Sequence, residues 1–187
     1  YSCAGARGAY IYWAMQVSTE IADVAASSPT PGVVKIYVLM DDGTLATEEI
    51  KSKVLAACSA SERRPLTDLV TVEDAELIPY NIQFTYYTNR SSNQSGAEIA
   101  AGVQAAVDKY IVWQHGKLGR DINPSKLISL LMQTGVKRVD LTSPAFVHLQ
   151  DGNQTLNADM SYDPAEAVPQ VARVMGVTIH NGGYEDE

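Results

Sequence analysis

Several things are scarce in this sequence, and each shortage removes a class of protein. Basic residues are outnumbered, 14 against 22 acids, for a formal net charge of -8. That leaves no basic footprint for a nucleic-acid backbone, and an acidic surface is repelled by anionic membranes. Only two cysteines are present, Cys3 and Cys58. A disulfide framework needs more of them, and a structural zinc site needs them in spaced pairs. Cys58 falls on the apolar side of an expected helix and reads as a buried free thiol. No apolar run approaches the ~20 residues of a membrane span. The chain opens at Tyr1 with neither a methionine nor a signal peptide, and is read as a piece of something longer. Asn89-Arg90-Ser91, Asn93-Gln94-Ser95 and Asn153-Gln154-Thr155 fit the glycosylation pattern, but without a secretory signal they mark only polar loops.

Signatures of chemistry are also scarce. His115 ends an expected helix, His148 lies in an irregular stretch and His180 sits late in a strand. No Cys-x-x-Cys, His-Glu-x-x-His or calcium-loop spacing occurs. Gly116-Lys117-Leu118-Gly119 lies between two expected helices and lacks the Lys-Ser/Thr of a phosphate loop. Gly-x-Ser-x-Gly is absent. Glu73, Asp74 and Glu76 fall on one expected strand, with Asp74 and Glu76 sharing a face. Paired acids can hydrolyse a sugar polymer, whereas a charged strand face or edge simply discourages unwanted pairing; the second reading is preferred. Arg64 and Asp68 flank a Pro-Leu-Thr loop. Either Arg64 binds an anion, or Pro65 fixes the backbone while Thr67 or Asp68 bonds loop amides. Arg120-Asp121 is either a local ion pair or a partner contact. Tyr10, Tyr12 and Trp13 are either interface anchors or core. No residue is assigned a catalytic, cofactor-binding or metal-ligating role, and no cofactor is expected.

What the chain does have is a core's worth of patterning: 187 residues, 45% of them hydrophobic, enough for one ordinary domain or two small ones. A helix is expected within residues 5–17, then a strand at Ile21–Ala25. Ser28-Pro29-Thr30-Pro31-Gly32 is a turn, and Val33–Met40 a β-branched strand that could close a hairpin. Thr47 caps a helix whose first turn carries Glu48 and Glu49, with Ile50, Val54, Ala57 and Cys58 on one face. Leu69–Ile78 reads as a strand ended by Pro79. Tyr80, Ile82, Phe84 and Tyr86 then alternate with Asn81, Gln83 and Thr85, the pattern of a half-buried strand. A long helix to about His115 buries Ile99, Val103, Ala106, Val107 and Tyr110. Asn123 and Pro124 open another, with Leu127, Ile128, Leu130 and Leu131 inside. Val136–Leu141 and Val171–His180 are strands, residues 146–168 are irregular, Gly182-Gly183 ends the fold, and Tyr184–Glu187 is a solvated tail.

The fold class is therefore α+β: two small subdomains, each a mostly antiparallel sheet with helices packed on one face, preceded by an N-terminal helix. Residues 1–78 form the N-terminal helix plus a strand-strand-helix-strand unit. Residues 79–187 form a strand-helix-helix-strand-strand unit with the irregular loop 146–168.

Certain stretches are familiar in their order. They are Ala9-Tyr10-Ile11-Tyr12-Trp13-Ala14; Pro29-Thr30-Pro31-Gly32-Val33-Val34 with Ile36-Tyr37-Val38; Arg64-Pro65-Leu66-Thr67-Asp68-Leu69-Val70-Thr71-Val72; Gly119-Arg120-Asp121-Ile122; Arg138-Val139-Asp140-Leu141-Thr142-Ser143-Pro144; and Val177-Thr178-Ile179 before Gly182-Gly183. In this order the chain resembles the C-terminal half of baseplate J-like proteins of contractile phage tails. The 146–168 stretch departs from that family's pattern by being longer, so no family-level contact is carried over to it. The resemblance implies structural work in the virion: a wedge component that contacts other wedge and hub proteins and self-associates in a ring, after assembly in the bacterial cytoplasm. It supplies no catalytic residues. The competing readings are a tail-associated cell-wall hydrolase and a receptor-binding module, the latter favoured by exposed tyrosines in 146–168, where only Tyr162 occurs.

Overall fold

The computed structural model describes residues 3–60, 68–153 and 167–186, with backbone alone at 3–6. The elements in order are α1 (Cys3–Met15), β1 (Ile21–Ser27), β2 (Val33–Met40), α2 (Glu48–Ser59), β3 (Leu69–Glu73), β4 (Glu76–Asn89), α3 (Gly96–His115), α4 (Pro124–Met132), β5 (Val136–Ser143) and β6 (Gln170–Glu185). This is an α+β chain with two small mixed sheets, one ordered β1-β2-β3 and the other β5-β4-β6. Two compact units result. The first gathers the described residues within Tyr1–Leu77, His115–Arg120 and Leu149–Val171; the second takes those within Ile78–Gln114, Asp121–His148 and Ala172–Glu187.

In the first unit β1 and β2 form the expected hairpin, antiparallel with Val24 opposite Val38 and Ala26 opposite Ile36. β2 and β3 run parallel, with Ile36 opposite Val72. A parallel pair needs a crossover, and α2 provides it. Thr47 caps α2 as expected, its hydroxyl accepting from Ile50 N–H. The sheet is covered on both faces. One carries Tyr10, Ala14, Val24, Ile36, Val38, Val54, Cys58 and Val70. The other carries Tyr37, Leu39, Ala75, Leu118 and Val171. Burial on both faces explains why β2 is apolar without alternation, every residue from Ile36 to Met40 being buried.

In the second unit β4 is central, and its alternation is realised: Tyr80, Ile82, Phe84 and Tyr86 are buried while Asn81 and Gln83 are exposed. α3 supplies Ile99, Val103, Ala106, Val107 and Tyr110 to the core, all buried as expected. Tyr80 meets Tyr110 edge-to-face, ring centroids 6.4 Å apart. Ser95 and Glu98 form a capping box at its start: Ser95 N–H donates to Glu98 Oε2 at 2.7 Å and Glu98 N–H to Ser95 Oγ at 3.2 Å. Asn123 caps α4, its Oδ1 accepting from Ser125 and Lys126 N–H.

Four expectations change. The strand expected over Leu69–Ile78 is two strands, β3 ending at Glu73 and β4 starting at Glu76. Pro79 does not end a strand but lies inside β4. The β4–β5 register runs from Gln83 to Thr88, beyond Pro79, so its missing N–H interrupts none of those ladder bonds. Ile128 is 37% exposed rather than inside, because Leu127, Leu130 and Leu131 already fill the buried side of a short helix. Gly182-Gly183 does not end the fold: β6 continues through both to Glu185. Asn81 lies against Gly176, Tyr87 against Gly182, and Arg90 N–H donates to Glu185 O, contacts that advance together as in a parallel pair.

Candidate functional site

The acids singled out in the sequence are held apart. Glu73 ends β3 and accepts from Lys35 Nζ at 2.9 Å, which holds the lysine above its ordinary pKa. Asp74 lies in the β3–β4 connection and pairs with Lys51 at 2.8 Å. The Asp74 hydrogen bond and, after it, one from Glu48 raise the Lys51 pKa. Glu76 opens β4 and accepts from Gln170 Nε2 at 2.7 Å. They do not share one strand, because the chain turns at Asp74-Ala75 to bury Ala75.

The histidines sit apart as well. His115 closes α3 and is buried, packed so closely on Gly43 that a Cβ there would lie 2.7 Å from its own Cβ. His148 is exposed and bonds Asp121 Oδ1 through Nδ1 at 2.9 Å. His180 is exposed on β6. Among the described residues no three His, Cys, Asp or Glu side chains gather where a metal ion could be held. Cys58 is a fully buried thiol that donates from Sγ to Tyr10 O at 3.8 Å; the Cys3 side chain lies outside the described atoms.

The loop candidates turn out to shape joints. Asp68 accepts from the Tyr10 hydroxyl at 3.0 Å; Arg64, Pro65 and Thr67 lie outside the described residues. In the Gly116–Gly119 turn, Leu118 N–H donates to Asp23 Oδ2 at 2.9 Å and Gly119 N–H to Gln170 O at 2.7 Å. Gly119 has φ 68, and a Cβ there would meet Asp151 Cα at 2.4 Å, so only glycine fits. Burial lowers the pKa of Arg120, and Asp23 opposes that shift. In α1, Tyr10 is buried in core while Tyr12 is 61% exposed. Tyr162 and most of 146–168 lie outside the described residues.

Two groupings escaped the sequence reading. Arg7 ties α1 to its surroundings, donating from Nε to Ala26 O at 2.7 Å and from Nη1 to Asn153 Oδ1 at 2.7 Å. The second sheet's polar face carries a charged lattice. Arg138 lies 3.7 Å from the Tyr87 ring centroid and donates to Glu185 and Asp140, both at 2.5 Å. Those bonds, Glu185 first, raise its pKa, and the same bond lowers that of Glu185. Arg90 reaches Asp186 at 2.7 Å. The available sequence signal was the strand alternation, which places Tyr87 and Arg138 opposite one another on a polar face.

Apolar surface completes the picture. Between α2 and β3 lies an open groove of about 430 Å³ lined by Ser52, Leu55, Ala56, Ser59, Leu69 and Val70. Met175, Val177, Val112 and Phe146 are exposed. No described helix is long and apolar enough to cross a membrane.

By fold, then, this is a two-unit α+β chain built on a pair of mixed three-stranded sheets. Residues 2–74 match the model of the baseplate J-like central domain, and residues 80–153 match that of the baseplate J-like protein C-terminal domain. The chain is 35% identical over 144 residues to baseplate protein J of Escherichia phage P2, a match over 76% of this chain and 47% of that protein. It thus spans about half the length of the curated relative it matches. In structure it is similar to a chain of the anti-feeding prophage (AFP) baseplate solved by cryo-electron microscopy, with TM-score 0.51, 16% identity, and coverage of 80% of this chain and 36% of that one. That likeness supports the fold. The chain belongs to the baseplate J-like family.

Proposed function

We propose that this chain is a structural part of a contractile-tail baseplate, linking wedge subunits through protein–protein contacts and catalysing no reaction. The observation that carries the reading is the succession of two baseplate J-like domains along the chain, central then C-terminal. The side-chain chemistry is consistent with it. Glu73, Asp74 and Glu76 each hold a neighbouring strand or helix rather than facing one another across a cleft. Its partners are then other wedge and hub proteins, its place is the virion, and assembly takes place in the bacterial cytoplasm.

The test is co-purification. A tagged full-length protein is produced together with the tail genes that neighbour it, and the captured proteins are identified. Wedge, hub or sheath proteins are expected among them. Capture of no tail protein, together with lysis of a peptidoglycan suspension that Glu76→Gln abolishes, would replace this reading with a hydrolase.

A further inference from the structure

Each sheet has two outer strands, and the four are not equally protected. An open strand edge is a template for pairing, and proteins blunt it with charge, proline, bulges or shortness. β1 carries Asp23 at a bulge between Ile21 and Asp23. β3 is only 5 residues long and ends on the charged pair Glu73–Lys35. β5 carries Lys137, Arg138 and Asp140. β6 is the longest, 16 residues, and from Val174 to Asn181 it holds no Lys, Arg, Asp, Glu or Pro. Its glycine of positive φ, Gly183, comes only after that run. Among the described residues no strand lies beyond it.

That edge is also apolar on one side. Gly176 faces Asn81, on the polar side of β4. By alternation Met175, Val177 and Ile179 point the other way, toward the layer of Tyr80, Ile82 and Phe84. Met175 is 69% and Val177 42% exposed, so the apolar layer of the sheet runs out to its edge uncovered.

We propose that the β6 edge pairs antiparallel with β6 of a second copy of this chain, about a two-fold axis at Val177. The sequence argues for this occupant because the edge is complementary to itself. Centred on Val177, Met175 of each copy opposes Ile179 of the other, and Val177 opposes Val177. On the opposite face Gly176 meets Thr178, and Val174 meets His180 on that same face. No two acids or bases come together, in a chain whose net charge of -8 otherwise opposes self-contact. The paired run, residues 174–180, is roughly 24 Å long at ~3.4 Å per residue. Its ladder supplies about as many hydrogen bonds as a typical interface, ~10 ± 5. Like an isologous contact in general, it closes at two copies. The inference rests on the assembly reading for its meaning, as one of the contacts by which this protein self-associates.

Sedimentation equilibrium of the chain over a concentration series tests it. A reversible monomer–dimer equilibrium is expected. Val177→Lys places like charges directly opposite one another and is expected to weaken the dimer by about tenfold or more, with the circular dichroism spectrum unchanged. In a Cys3→Ser background Val177→Cys is expected to form disulfide-linked dimers on mild oxidation, and Asp140→Cys, on β5, is not; Cys58 is buried and stays out of the reaction. A wild-type chain monomeric at all concentrations overturns the inference, as does a Val177→Lys dimer of undiminished affinity or equal cross-linking from position 140. If the chain is monomeric yet the full-length protein still captures tail proteins, this inference fails and the assembly reading stands.

Discussion

Gly182→Ala is a one-carbon test of how the second sheet is assembled. A Cβ at this position would stand 2.3 Å from Tyr87 Cε1 and 2.7 Å from Cδ1 and Cζ. Ordinary carbon–carbon contact is about 3.5–4.0 Å, so the ring must retreat by more than about 1 Å. Gly182 does not have a positive φ, so alanine brings no backbone strain and gains ~0.4–1 kcal/mol by restricting the unfolded chain. The cost arises at the ring. Tyr87 is stacked under the Arg138 guanidinium, which Glu185 and Asp140 fix in turn. Overpacking of this kind costs ~1–3 kcal/mol, leaving a net loss of about 1–2 kcal/mol. For a chain of this size each kcal/mol moves the melting temperature by about 2–4 °C, so a fall of roughly 2–8 °C is expected in a thermal melt. The discriminating measurement is a double-mutant cycle with Tyr87→Ala, because contacting residues do not add. In the Tyr87→Ala background the penalty should vanish or reverse. A Gly182→Ala melt equal to wild type, or the same loss in both backgrounds, refutes the steric account.

Phe84 is fully buried on the inner face of β4, and Phe84→Ala is expected to cost ~3–5 kcal/mol in urea unfolding. Gly119→Ala forces both a positive φ and a clash with the Asp151 backbone; a loss of ~2–4 kcal/mol is expected from strain and overpacking together, measured the same way. Tyr110 is fully buried, and burial pushes its hydroxyl up to about 12 from an ordinary value near 10. A folded-state pKa raised above the unfolded one gives stability that is complete below pH ~10 and lost as pH climbs toward 12, since the unfolded state releases its proton first. Unfolding free energies measured from pH 9 to 11.5 should therefore fall with pH, and more gently in Tyr110→Phe.

Much of this fold was legible because local chemistry and tertiary demand agree. The alternation of β4, the apolar face of α3, the Thr47 and Asn123 caps and the hairpin of β1 and β2 all rest on periods or on hydrogen bonds within a few residues. So does the resemblance that led to the baseplate J-like family, a matter of residue order. What misled were punctuation marks read without context. Pro79 signals a break, but it sits where β5 does not pair. Gly182 and Gly183 signal an end, but in the fold one makes room for the Tyr87 ring and the other takes φ 89 inside the strand.

The candidate acids show the same division. Residue order places Glu73, Asp74 and Glu76 near one another along the chain, yet a bend to bury Ala75 sends them to Lys35, Lys51 and Gln170. By itself the sequence determined which residues seek the interior, where helices begin, and that charge of one sign prevails, since these follow from side-chain chemistry and short-range spacing. Only the tertiary structure decided that β3 runs parallel to β2, that Arg138 finds Glu185 across 47 residues, and that β6 is an outer strand with none beyond it among the described residues. Such pairings join residues far apart in the chain, and nothing local distinguishes the strand that will be covered from the one that will not.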